Sequence, residues 1–187
     1  MKKPIAIVLA GSGENRLAEV HYGKPQELHT ADILSSMGLE TYITQRSESI
    51  HSCDYQLLNE IYPDQGAIHA IISLLDDKEV GTALLVPCDM PLLDSDLLSQ
   101  LVDTYVEEDT IVCFRQHGTP YIEPFPAIFE KAVLELLVTD VVEGKISLQD
   151  LLNHAGSHLV EVPKDDRLLS VDDEGAREKI NEILSAS

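Results

Sequence analysis

Basic residues are scarce in this 187-residue chain: 13 lysines and arginines stand against 33 aspartates and glutamates, a formal net charge of −20. That deficit repels phosphate backbones and anionic lipid surfaces, and no basic cluster is longer than Lys2-Lys3, so neither nucleic acid nor a membrane surface is expected as a partner. Long apolar runs are missing too. The stretch Pro4 to Ala10 has seven residues and runs into glycines, well short of the roughly 20 apolar residues that span a bilayer and without a convincing signal-peptide cleavage region. Cysteine is limited to Cys53, Cys88 and Cys113, with no CxxC spacing for zinc or a redox pair, which reads as reduced thiols in a cytoplasmic protein. There is no G-x-S-x-G elbow for a serine hydrolase, no internal repeat and no Gly/Ser-rich linker.

What is present is the makeup of a globular domain. Hydrophobic residues form 44% of the chain and charged residues 25%, too apolar for a disordered acidic tail, and the length fits one domain over residues 1–187. The charge is unevenly spread. Residues 1–25 carry four basic side chains, Lys2, Lys3, Arg16 and Lys24, against Glu14 and Glu19, whereas the rest of the chain holds nine basic and thirty-one acidic ones. An anion-binding segment is therefore expected at the N-terminus.

Short apolar strands alternate with amphipathic helices. Pro4 to Ala10 reads as a buried strand feeding a loop that runs to about Pro25. A helix from Gln26 carries Leu28, Ile33, Leu34 and Met37 and stops at Gly38, and a strand over 40–44 follows. Gly66 opens a helix with Ile68, Ile71, Ile72 and Leu75 on one face. Ala83 to Val86 is a second buried strand, ending in Pro87-Cys88-Asp89-Met90-Pro91. Asp94 or Ser95 caps a helix presenting Leu97, Leu98, Leu101, Val102 and Tyr105. Ile111 to Phe114 continues the sheet. The segment from Tyr121 to Phe129, with Pro124 and Pro126 inside it, reads as an irregular edge strand or a substrate loop. A helix to about Val142, a short helix after the capping box Ser147 to Asp150, an outer strand over 157–162 and a final helix over 172–184 complete the chain. The pattern predicts an α/β domain with a mainly parallel sheet.

Ligands of open parallel sheets bind beyond the carboxyl ends of the strands, and two motifs fall there. In LAGSGENR, residues 9–16, glycines let backbone N–H groups turn around phosphate oxygens while Arg16 neutralises them; a generic tight turn explains the same residues. In VPCDMP, residues 86–91, Asp89 at the end of a buried strand is placed as a Mg²⁺ ligand, or serves as a turn or helix cap.

Together and in this order the two motifs resemble the nucleotidyltransferase family that includes molybdenum cofactor guanylyltransferase. Leu9, Ala10, Gly11 and Arg16 match its LAGG-x-S-x-R-M-G-x-x-K signature, and Cys88, Asp89, Pro91 and Leu92 match its C-D-x-P-L element. Gly66 to Ile71 resembles the GPLAGI segment, Glu123-Pro124-Phe125 to Phe129 the P-L-x-A-x-Y segment, and Ser170 to Glu174 the N/D-I-N/D-T-P-E-D segment. The resemblance implies a Rossmann-like three-layer α/β/α sandwich with a mostly parallel central sheet, and Mg²⁺-dependent transfer of GMP from GTP to the phosphate of a molybdopterin-type cofactor. Leu9, Ala10, Gly11, Ser12 and Gly13 would then cradle the triphosphate with Arg16 and Lys24 as catalytic cations, Asp64 would contact the nucleoside, and Asp89 with Asp172 would hold the metal. Asp64 also suits a turn, Pro63-Asp64-Gln65-Gly66, and Asp172 a helix N-terminus.

The sequence departs from the pattern at Ser12, Glu14 and Leu17-Ala18. The signature lysine falls on His21 without an insertion or on Lys24 with three extra residues; Lys24 is chemically preferred because it stays charged at neutral pH. Ala67 and His69 alter the base-contacting segment. A related transferase using CTP, or a sugar or polyol phosphate acceptor, and a nucleotide-binding relative without turnover are the alternatives.

Overall fold

In the computed structural model the described residues are 3–10, 20–45, 54–59, 66–107, 110–142, 144–164, 166–171 and 174–186. The sheet is built from β1 (Ile5–Leu9), β4 (Thr41–Gln45), β5 (Gln56–Asn59), β6 (Thr82–Pro87), β7 (Ile111–Gln116), β8 (Ile122–Glu130) and β9 (His158–Val162), with β2 (Val20–His21) and β3 (Lys24–Pro25) forming a separate small hairpin. The helices are α1 (Gln26–Ser36), α2 (Gly66–Asp77), α3 (Ser95–Thr104), α4 (Lys131–Leu136), α5 (Leu148–His154) and α6 (Glu174–Ala186). The seven strands lie in the order β5-β4-β1-β6-β8-β7-β9. Every pairing is parallel except those of β8, which runs antiparallel between β6 and β7.

Alternation of side chains along the strands builds two cores. Ala6 and Val8 point with Leu84, Val86, Val112 and Phe114 toward Ala31 and Leu34 of α1 and Leu97, Leu98 and Leu101 of α3. Ile5 and Ile7 point with Ala83, Leu85, Cys113 and Phe129 toward Ile71 and Leu75 of α2, Val133 and Leu134 of α4, and Leu151 and Leu152 of α5. Helices thus cover both faces, which is the three-layer sandwich expected. A fully buried leucine such as Leu97 or Leu101 contributes roughly 1.5–3 kcal/mol, so these stripes are what fix α3 to the sheet.

Local signals hold where they are strong. Gly38, at φ +72°, lets the Leu39 amide reach back to the Leu34 carbonyl and stops α1. The Ser147 hydroxyl accepts the Asp150 amide at 3.0 Å to start α5. The helix after β8 continues from α4 as a π-helical stretch, Leu137–Val142.

Three readings are corrected. β5 is a strand between the strand over 40–44 and the Gly66 helix, a stretch for which the sequence pattern predicts no element; its four residues, QLLN, carry too little alternation to register. The stretch before Pro25 contains the β2–β3 hairpin, whose turn residues Tyr22 and Gly23 both have positive φ, 59° and 75°. And residues 122–130 form an interior strand, not an edge. β8 pairs with β6 only from Ala127 to Glu130, and its pairing with β7 slips between Cys113 and Phe114, so Pro124 and Pro126 fall where no regular ladder needs their missing N–H. Among the described residues, no helix is long and apolar enough to cross a membrane.

Candidate active site

The carboxyl ends of β4, β1 and β6 are tied to one another. The Ala10 amide donates to the Thr44 hydroxyl at 3.1 Å, and the Cys88 amide donates to the Leu9 carbonyl at 3.2 Å. Leu9 stands opposite Pro87 in the ladder. These bonds fix the point from which the glycine-rich loop leaves the sheet. Leu9 and Ala10 are therefore where the sequence places them; Gly11, Ser12, Gly13, Arg16, Asp64 and Asp172 lie outside the described residues.

Asp89 is half-buried in the turn after β6, between the buried Cys88 and Met90. Its carbonyl accepts a hydrogen bond from the Val171 amide at 2.9 Å, which brings the chain just ahead of Asp172 to the same strand end. The helix cap that Asp89 could have supplied belongs to Asp94. One oxygen of Asp94 accepts the Leu97 amide at 2.8 Å, and its carboxylate also receives Arg167 at 2.9 and 3.0 Å. Next to Val171, the buried Ser170 hydroxyl has no hydrogen-bond partner among the described residues. An Asp carboxylate is a hard oxygen donor of the kind Mg²⁺ takes beside substrate phosphates, so Asp89 has the donor chemistry for that ion.

The hairpin carrying Lys24 is pinned at two places. The Tyr22 hydroxyl donates to the Pro91 carbonyl at 3.1 Å, and the Tyr22 ring stacks on His29 of α1 at 4.1 Å between centroids. Lys24 itself pairs with Asp32, one turn further along α1. Tyr55 donates to the other oxygen of Asp32 at 2.6 Å. The Lys24 hydrogen bond, then that of Tyr55, hold the Asp32 carboxyl below its usual range, while burial above all, with Asp32, pushes the Tyr55 hydroxyl up to about 12. The hairpin and the Asp89 turn are thereby brought together, with the Lys24 ammonium shared with a carboxylate. Sequence reasoning missed Tyr22, Asp32, Tyr55 and Thr44; only the Tyr-Gly pair of the turn is a local signal.

Because β8 is antiparallel, its first residues share this edge with the ends of its parallel neighbours. Glu123 lies there, accepting a hydrogen bond from the Gln116 amide at 2.8 Å, and burial pushes its carboxyl above the ordinary value.

Other chemistries find little support. Among the described residues no group of three or more His, Cys, Asp and Glu is placed to hold a metal ion. His154 and His158 have HxxxH spacing, but His154 ends α5 and His158 begins β9 across the positive-φ Gly156, so they do not share a helix face. Cys88 and Cys113 are buried and not joined in a disulfide, and burial pushes Cys113 up to about 12, the opposite of what a nucleophile needs.

Residues 6–161 match the MobA-like NTP transferase domain family. A probable molybdenum cofactor guanylyltransferase of Pyrococcus horikoshii is 28% identical over 156 residues, covering 80% of this chain and 81% of that protein. Among solved structures, a nucleotidyl transferase from Methanothermobacter superposes with a TM-score of 0.75 at 13% identity, over 100% of this chain and 99% of that one. A CMP:2-keto-3-deoxy-manno-octonic acid synthetase complexed with CTP superposes with a TM-score of 0.69 at 13% identity, over 99% of both chains. The family match over residues 6–161 and the relatives' names lead to one assignment: the chain belongs to the MobA-like NTP transferase family and is a nucleotidyltransferase.

Proposed function

We propose that the protein transfers GMP from GTP to the phosphate of a molybdopterin-type cofactor in a Mg²⁺-dependent reaction. The observation that carries this reading is the meeting of Leu9-Ala10, Asp89 and Val171 at one sheet edge, in a chain whose relative in Pyrococcus horikoshii bears the guanylyltransferase name. An oxygen of the acceptor phosphate attacks the α-phosphorus of GTP. The bond from that phosphorus to the bridging β-oxygen breaks, and pyrophosphate leaves with the electron pair. The acceptor phosphate is already ionised, so the chain has mainly to align and neutralise.

Bound Mg²⁺ would supply charge neutralisation and orientation of the triphosphate, held by Asp89 with Asp172. Amides of Gly11 to Gly13 and the Arg16 guanidinium receive phosphate oxygens in this reading. Lys24 has three N–H donors, so its pairing with Asp32 leaves donors for phosphate. Asp64 contacts the nucleoside. The enzyme works as one domain in the cytoplasm.

The test is the melting temperature with Mg²⁺ and each of GTP, CTP, ATP and UTP, followed by pyrophosphate release with acceptor. A GTP-selective shift and acceptor-dependent release support the reading; no shift with any nucleotide sinks it. A second reading, CTP as donor, is left open by Ala67 and His69, which depart from the guanine-contacting segment, and predicts that CTP gives the larger shift.

A further inference from the structure

Strand order sets where the two substrates can lie. β1, whose following loop the proposed function gives to the triphosphate, is on one side of β6; β8 is on the other. In-line displacement puts the attacking oxygen opposite the departing pyrophosphate, so the acceptor must approach from the β8–β7 side of Asp89. The antiparallel register makes this more definite. The last β6–β8 pair is Leu85 with Ala127; beyond the unpaired residues 124–126, Glu123 pairs with Phe114, one ladder step past the Cys113–Ala127 pair, so Glu123 stands at the strand-end edge from which the Asp89 turn leaves β6.

Glu123 is an odd residue to find there. A carboxylate repels the phosphate of an acceptor, so it has no part in binding that end. It is half-buried, and its described hydrogen bond comes from Gln116 on the neighbouring strand β7, whose Phe114 pairs with Glu123 in the ladder. A carboxylate has about four lone-pair sites, and one bond from Gln116 leaves acceptor capacity directed by a fixed neighbour. Keeping such a group partly out of water costs stability, a cost usually borne for function. The chemistry left to it is to accept hydrogen bonds from uncharged or cationic donors.

We propose that Glu123, positioned by Gln116, lines the acceptor half of the site and accepts a hydrogen bond from an N–H group on the acceptor's heterocycle, the end remote from its phosphate. This rests on the proposed function for the identity of the acceptor. Specificity would follow from it: an acceptor without an N–H donor would leave a half-buried carboxylate unpaired and be rejected.

The test uses the full chain, a 6-hydroxymethylpterin phosphate as acceptor probe followed by its intrinsic fluorescence, and Mg²⁺-GTP followed by melting temperature. Glu123→Gln and Glu123→Ala are expected to weaken pterin phosphate binding about tenfold or more, to leave the GTP-induced melting shift as in the unmodified protein, and to keep or raise the melting temperature without ligand. Pterin phosphate binding unchanged in both variants overturns the assignment of Glu123 alone. So does a parallel loss of GTP binding or a large fall in melting temperature, which would mark a structural role. If the unmodified protein itself shifts with GTP but does not bind the pterin phosphate, the acceptor reading fails and this inference with it.

Discussion

The amide of Val171 donates to the carbonyl of Asp89 at 2.9 Å, joining the approach to the last helix to the end of a central strand. The bond carries the chain as far as Val171, the residue before Asp172, to the strand end that holds Asp89, and it involves no side chain. Val171→Pro removes the donor and leaves the Asp89 carbonyl without it. The expected result is a loss of about 1–3 kcal/mol in stability by denaturant unfolding, and a Mg²⁺-GTP melting shift smaller than in Val171→Ala, which keeps the amide.

Asp89→Asn keeps the turn and removes the charge. Since Asp94, not Asp89, caps α3, the fold should tolerate the change within about 0.5 kcal/mol. Pyrophosphate release should fall at least a hundredfold, and added Mg²⁺ should no longer increase the GTP-dependent shift. An Asp89→Asn protein as active as the parent refutes the metal role.

Asp94→Ala should act in the opposite way, on stability before activity. It loses the cap on the Leu97 amide and the ion pair with Arg167 together, an expected cost of about 1–2 kcal/mol in urea unfolding.

The Asp32 group gives a pH test. Lys24 and Tyr55 hold its carboxyl below the ordinary range, so the folded chain ionises it at a lower pH than the unfolded chain does. Its contribution is full above the unfolded value of about 3.9 and is lost as pH falls through the lower folded value. With 45% of its side chain exposed, the contribution is screened and small. Comparing Asp32→Asn with the parent from pH 6 to pH 3 should show a difference above pH 4 that narrows below it.

Freeing Lys24 separates two effects of that pair. In Asp32→Asn the ammonium loses its counter-charge, and GTP binding by melting shift should strengthen or hold at low salt if Lys24 serves the triphosphate. Lys24→Gln should weaken it by about tenfold. No change in Lys24→Gln would remove Lys24 from the site.

Strong local patterns carried the secondary structure: the run IAIVL, the leucine face of α3 and the Gly38 stop need only side-chain periodicity and backbone sterics. Weak ones did not. QLLN is too short to reveal β5, and the prolines of β8 look like an edge until the pairing is seen, because a proline's missing N–H matters only where a neighbour would have accepted it. The same limit held for the site. Leu9, Ala10 and Asp89 announce themselves as a strand end followed by glycine or a carboxylate.

By itself, then, the sequence determined the alternation of strands and helices, the two strand-end motifs and the family likeness, all of which depend on order and spacing along one chain. Which strand lies beside which was decided only in three dimensions. The antiparallel entry of β8 between β6 and β7 puts Glu123 on the edge that holds Asp89. The Val171 bond draws in the C-terminal segment, and the Tyr22 contact with Pro91 seats the hairpin. These are contacts between residues distant in sequence, set by the packing of two cores against one sheet, and no local pattern encodes them.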